Sequence, residues 1–177
     1  MRWLYRIRQF WSALTAAPRS EDLFEASKTL SPALMRLFEQ MHPGEQAHSL
    51  TVYRRLRDQG ETNPDLLAAA LLHDVGKSLY RLQIGERVAI VLVKALLPGC
   101  AKSWGQGELS GWKKPFVVAE KHAEWGAQMV AQAGASPATV ELIRRHQEPV
   151  RLDARLWSAD RQEEHWLVRL QSLDNES

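Results

Sequence analysis

Apolar residues recur at three- and four-residue intervals along almost the whole chain, the spacing of helices that bury one face. Trp3, Leu4, Ile7, Phe10, Trp11 and Leu14 follow it, while Arg2, Arg6 and Gln9 fall on other sides, so an amphipathic helix is expected to end before Pro18. A short helix is expected at Asp22 to Lys28. Ser31-Pro32 then reads as N-cap and first-turn proline for a helix over Ala33 to Met41, which His42-Pro43-Gly44 ends. The pattern is helical again from about Glu45 to Asp58, and Gly60 is placed to stop it. Asn63-Pro64 repeats the cap-and-proline start before LLAAALLHDVGK, a run apolar almost all round and therefore expected to be a central helix.

Glu86 to Leu97 reads as a helix ended by Pro98-Gly99. Cys100 to Lys114 mixes Gly, Ser, Trp and Lys without period and is read as a loop. Its Lys102, Trp104, Trp112 and Lys113 would suit a lid that stacks on a base and meets phosphates, although such loops are more often surface insertions. Phe116 to Ala133 is the next helix, stopped by Gly134; Ser136-Pro137 opens one reaching about His146, and a last helix covers roughly Arg161 to Leu173. No segment alternates with a period of two between hairpin turns, and no internal repeat is visible, so the expected class is all-α.

The chain of 177 residues suits one domain with its own core. Apolar residues at 45% and charged residues at 25% are globular proportions, which excludes a fibrous or wholly disordered chain. A net charge of +2 is too small for nucleic acid as the main partner but leaves room for a small anion. Cys100 is the only cysteine, so neither an internal disulfide nor a multi-cysteine zinc site can form, and a reducing cytoplasm is the expected compartment. The longest apolar run, Val88 to Leu97, is interrupted by Lys94 and falls far short of the ~20 residues of a spanning helix. Residues 1–16 could touch an anionic membrane surface through Arg2, Arg6 and Arg8, but their stripe is an ordinary one for packing on the domain itself or on a second subunit of a homo-oligomer.

Of the six histidines, His48, His73, His122 and His146 lie within or at the ends of four different expected helices. Imidazole and carboxylate both ligate hydrolytic metal ions, and Asp74 stands beside His73. An ionisable pair in an apolar helix costs several kcal/mol unless something compensates it, and a cation would do so. On the dipeptide alone, a satisfied buried hydrogen bond without metal is the commoner arrangement.

The strings QAHSL around His48, AALLHDVGK around His73 and Asp74, KHAEWGAQM around His122, LIRRHQEP around His146 and LQSLDNES around Asp174 resemble, in order and spacing, the HD superfamily of metal-dependent phosphohydrolases. The resemblance runs from about Glu45 to the C-terminus. It divides the chain into an N-terminal helical extension over residues 1–42, packed on the core, and an HD domain over 43–177.

That resemblance implies that His48, His73, Asp74 and Asp174 hold one divalent ion, that His122 and His146 hold a second, and that Asp74 bridges the two. The ligand types admit manganese, iron, magnesium or zinc. It implies hydrolysis of a phosphoester or phosphoanhydride, with a nucleotide as the leading substrate class, by metal-activated hydroxide. Asp74 and Lys77 would be catalytic, Lys77 also meeting substrate phosphate with Arg144 and Arg145 as further candidates. Lys77 would equally suit a solvated helix end, and the two arginines a solvated surface. Asp160, in LWSADRQ, rivals Asp174 as the last ligand, and Asp174 is preferred because Asn175-Glu176-Ser177 fits the usual continuation. Two other functions stay open: a regulatory, partner-binding HD module without turnover, and a di-iron oxygenase.

Overall fold

The computed structural model describes residues 17–148 and 160–176, without the side chains of Asp160 and Arg161. The opening helix expected at Trp3 to Leu14 lies outside the described residues. Within them the chain forms nine α-helices, two short 3-10 helices and no strand. The α-helices are α1 (Ser20–Thr29), α2 (Pro32–Gln40), α3 (Pro43–Asp58), α4 (Pro64–Leu72), α5 (Ile84–Leu96), α6 (Pro98–Gly105), α7 (Lys114–Gln132), α8 (Pro137–Arg145) and α9 (Asp160–Glu176). The 3-10 helices are Val75–Leu79 and Gly111–Lys113.

Proline after a polar cap starts several of these elements. Ser31 Oγ accepts from Leu34 N, Asn63 Oδ1 from Leu66 N and Ser136 Oγ from Thr139 N, each beside a proline that lacks the proton a helix start would leave unpaired. His42 acts in the same way: its Nδ1 accepts from Gly44 N at 3.2 Å and Pro43 opens α3. His42-Pro43-Gly44 is therefore the start of one helix as much as the end of another. Gln46 closes the junction, its Nε2 donating to the carbonyls of Phe38, Glu39 and Met41 at the end of α2.

α4 is the centre of the core, with Leu66 through Leu72 all buried. α1 and α2 pack Ala26, Leu30, Leu34 and Phe38 into the same core, to which α3 adds Leu50 and Leu56, α8 Ile143, and α9 Leu167 and Leu170.

Two expectations change. The central helix does not run through HDVGK: it stops at Leu72, His73 caps it, Asp74 turns with φ −97° and ψ 3°, and the chain tightens into Val75–Leu79. The cause lies at Gly76, where an added Cβ would stand 2.0 Å from the carbonyl oxygen of His122 and 2.7 Å from the amide of Gly126, so the turn lies directly on the backbone of α7. The expected loop over Cys100 to Lys114 contains α6 and a 3-10 turn instead. Pro98 starts α6, Ala101 and Gly105 are buried, and Gly105 lets α6 cross close over Phe116 and Glu120 of α7. Eight residues rich in Gly, Ser and Trp are too few to display a helical period.

Gly76→Ala is expected to lower stability by at least about 2 kcal/mol in urea unfolding, because backbone rather than a flexible side chain blocks the new methyl. Gly85→Ala, with nothing within 4 Å, is the control and should be neutral or slightly stabilising. Equal behaviour of the two would remove the close approach from the argument.

Glu61 ties the α3–α4 connection to α9. It accepts from the amides of Asn63 and Thr62 and pairs with Arg169. The Asn63 hydrogen bond, with those of Thr62 and Arg169, outweighs burial and holds its carboxyl below the ordinary value. Its contribution is therefore present above the unfolded pKa and lost as pH falls through the lower folded one. Glu61→Gln should cost about 1 kcal/mol near neutral pH, and the difference from wild type should shrink below about pH 4.

Candidate metal centre

Five elements deliver six side chains to one place. His48 comes from the middle of α3, His73 caps α4, Asp74 follows it, His122 lies within α7, His146 caps α8 and Asp174 stands in the last turn of α9. His73, Asp74, His122 and His146 are buried, while His48 and Asp174 close the cluster on its more open side.

The histidines are oriented by their own helices. Nδ1–H of His73 donates to Ala70 O at 3.0 Å, that of His146 to Ile143 O at 2.7 Å and that of His122 to Val118 O at 3.2 Å. A carbonyl only accepts, so each of these nitrogens carries a proton, and Nε2 is the atom each ring turns inward, as a lone pair wherever the ring holds no second proton. At the ends of α4 and α8 the same bond also satisfies a carbonyl that the helix leaves unpaired. The Nε2 atoms point inward onto the carboxylates.

Asp174 Oδ1 lies 2.7 Å from His48 Nε2 and 3.4 Å from His73 Nε2. Asp74 Oδ1 lies 3.2 Å from His122 Nε2 and 3.9 Å from His146 Nε2, while its Oδ2 is 3.7 Å from His73 Nε2 and 2.6 Å from Lys77 Nζ. Two groups of three have ligand atoms within 4.8 Å of one another: His48, His73 and Asp74, and Asp74, His122 and His146. Asp74 belongs to both. Although Asp174 faces His73 and Asp74 faces His122, Nε2 of both histidines is buried with no hydrogen-bond partner among the described residues. Buried polar atoms are rarely left so, and two such imidazole nitrogens beside carboxylates suit a cation that would take the place of any proton they hold.

The protonation equilibria follow from this crowding. Burial alone would lower His73, but the charges of Asp74 and Asp174 reverse it and raise the imidazole to about 9. Burial lowers His122, assisted by the charge of Lys77, and it lowers His146 to about 3, assisted by its neighbouring histidines. Burial would raise Asp74, yet Lys77 and His73 hold its carboxyl well below the ordinary range. Asp174 is lowered in the same way against burial, chiefly by His73.

Above the cluster is a cavity of about 300 Å³. One wall is apolar, made by Leu82, Ile90, Val91, Val118 and Ala119, and its cationic side chains are Lys77, Arg87 and Lys94. Lys77 is paired with Asp74, and Arg87 with Glu45 at 2.9 Å. Lys94 has no ion-pair partner among the described residues, and burial beside the cavity, with the charge of Lys77, lowers its pKa. The sequence reading passed over Glu45, Arg87 and Lys94. Only Lys94 left a signal there, as the single charge in the longest apolar run.

Arg144 and Arg145 lie outside this cavity. Arg144 pairs with Glu124 and Glu141, and Arg145 with Glu148 and Glu164. Arg144 does line a neighbouring groove of about 710 Å³ that shares Lys94, His146, Gln147 and Asp174 with the cavity. Asp160 opens α9, about four turns from Asp174 along the helix, and its side chain lies outside the described residues.

The family model described as HD domain matches residues 46–173, from the first turns of α3 into the last turns of α9. It spans His48, His73, Asp74, His122 and His146, with Asp174 one residue beyond its end. Comparisons with curated proteins and with solved structures gave no significant match.

Lys77 is the cation that balances Asp74 when only protein is present. In chelator-treated protein Lys77→Met is expected to cost on the order of 2 kcal/mol in urea unfolding, less than a fully buried pair because the ammonium is partly exposed. Combining it with Asp74→Asn should recover most of that loss. Strict additivity of the two substitutions would show that the pair is not coupled.

Proposed function

The chain belongs to the HD domain family, a family of metal-dependent hydrolase type, and from that premise we propose that it hydrolyses a phosphoester or phosphoanhydride with divalent ions held by His48, His73, Asp74, His122, His146 and Asp174. The observation that carries the reading is the pair of buried, unpartnered Nε2 atoms of His73 and His122 beside two carboxylates. The two ligand groups share Asp74, so the six residues would suit two ions. The mixed imidazole and carboxylate set suits manganese, iron, zinc or magnesium.

Bound there, such ions activate water and neutralise phosphoryl oxygens. The protein's own part is to hold the site ready. The Nδ1–H bonds fix the three inner imidazoles, so little reorganisation is needed as charge develops. Lys94 faces the cavity without an ion-pair partner among the described residues and supplies a point charge for substrate phosphate, whereas Lys77 is engaged by Asp74 and would be free for phosphate if that carboxylate held a metal. The apolar wall of Ile90, Val91 and Val118 excludes water on one side and strengthens each of these interactions. Nucleotides are the first compounds to screen, in keeping with the resemblance.

Purified protein should carry divalent metal by elemental analysis and should release phosphate from phosphate esters in the presence of Mn, Fe, Mg or Zn. His73→Ala and Asp74→Ala should each lower turnover on the order of a hundredfold or more and abolish the rise in melting temperature that metal produces. Turnover that survives both chelation and Asp74→Ala would falsify the reading.

A further inference from the structure

Seven of the eight exposed large hydrophobic side chains among the described residues lie between Leu79 and Trp112. Single exposed apolar residues are ordinary, but a cluster is not. α5 is its centre. The helix has the composition of a buried element, IGERVAIVLVKAL, yet none of its residues is buried. Its principal contacts are with α6 and α7.

The wheel of α5 separates two adjoining sides. Arg87, Ile90, Val91 and Lys94, at spacings of three and four, form the side that lines the cavity above the histidines. Ile84, Leu92 and Leu96 follow on the next side round, with Val91 at the border, and all four are exposed. Leu97 continues this face into the turn to α6, and Leu96 is 74% exposed. The apolar wall of the cavity thus runs without interruption onto the surface of the protein.

At the other end of α6, Trp112 is 62% exposed and held in place by edge contact with Trp104, whose ring also meets Phe116. Lys113 lies 5.6 Å from the Trp112 ring. In the segment from residue 81 to 114 Arg81, Lys94, Lys102 and Lys113 are exposed against Glu86 and Glu108, while Arg87 is paired with Glu45. An apolar face with an exposed tryptophan and an excess of lysine and arginine is complementary to the headgroup region of an anionic bilayer.

The apolar wall of the cavity suits an aliphatic chain. No phenyl, phenol or indole ring lines the cavity, and an aliphatic chain would lie along Ile90, Val91 and Val118.

We propose that the outer face of α5, with its turn into α6 and Trp112, docks on an anionic lipid surface, and that the cavity receives from it a phosphate monoester or diester carried on an aliphatic chain. The phosphate reaches Lys94 and the histidine cluster, and the chain leaves past Val91 toward the membrane. The substrate half rests on the phosphohydrolase reading above; the docking half does not. No helix among the described residues is long and apolar enough to cross a membrane, and docking needs none.

The full chain should float with vesicles of phosphatidylglycerol and phosphatidylcholine but not with phosphatidylcholine alone, and Trp fluorescence should shift to the blue on binding. Leu96→Asp combined with Leu97→Asp should cut the bound fraction at least tenfold. Circular dichroism, melting temperature and hydrolysis of soluble p-nitrophenyl phosphate should be unchanged, because both side chains lie at the surface away from the ligands. Hydrolysis of phosphatidic acid in the same vesicles should fall with binding.

Absence of flotation overturns the docking, as does flotation that the double substitution leaves intact, which would move the contact elsewhere, such as to residues 1–16. Sedimentation equilibrium showing a dimer that the substitution dissolves would give the face to a second copy. Turnover of soluble esters with phosphatidic acid untouched overturns the substrate half. Failure to hydrolyse any ester would instead count against the phosphohydrolase reading, with flotation still deciding the docking.

Discussion

Asp74 is a carboxylate almost wholly removed from water, yet Lys77 and the histidines around it hold it charged. Desolvating such a group costs several kcal/mol, and only close opposite charge and donors at fixed positions offset that. The requirement shapes the backbone on both sides. α4 has to stop at Leu72 so that Asp74 can turn away from the helix axis, and the following turn has to lie on α7 so that His122 meets Oδ1. Gly76 permits that contact because any side chain there would strike the His122 carbonyl. A larger residue would separate the two halves of the ligand cluster as well as strain the packing.

The same economy appears in the histidines. A helix end leaves carbonyls without partners, and a histidine there can return Nδ1–H to one of them while presenting Nε2 outward. His73 and His146 use the ends of α4 and α8 in this way, so two structural needs are met by two side chains. His122 sits inside a long helix and reaches back one turn to Val118. Close like-charged neighbours then keep the cluster from protonating throughout: His73 holds its proton between two carboxylates, and that charge helps to keep His146 neutral. The arrangement is prepared for cations in one place and for lone pairs in the next.

How much of this was legible in the sequence depended on whether the signal was local. The starts at Ser31, Asn63 and Ser136 were readable because a capping side chain and a proline act within one turn. The all-α class followed from period alone. The four histidines, with Asp74 and Asp174, could be assembled because their order and spacing resemble one family, although no local rule brings residues 48 and 174 within 2.7 Å. What stayed hidden was set by tertiary packing. Apolar content alone made HDVGK look helical, while the break depends on a backbone contact with residues 122 and 126. α6 was obscured by its glycine, serine and tryptophan, which make sense only against α7. Arg87 carried no signal of its own, because its partner Glu45 stands 42 positions earlier.

Stability is distributed unevenly around the site, and that bears on what selects its substrate. The floor rests on α3, α4, α7, α8 and α9, each with fully buried side chains, and its ligands are locked by backbone hydrogen bonds. The roof rests on α5, which buries no residue, and on α6, which buries Ala101 and Gly105. Elements with so little burial open at lower free energy than the core they cover. Substitutions in the floor therefore change folding and chemistry together, because the core residues and the ligands share helices. Substitutions on α5 have little core to disturb, so they act on access and specificity. A site built this way can keep one chemistry while the roof adapts to what it admits, and Lys94, a charge carried by the roof over ligands held by the floor, is where the two halves meet.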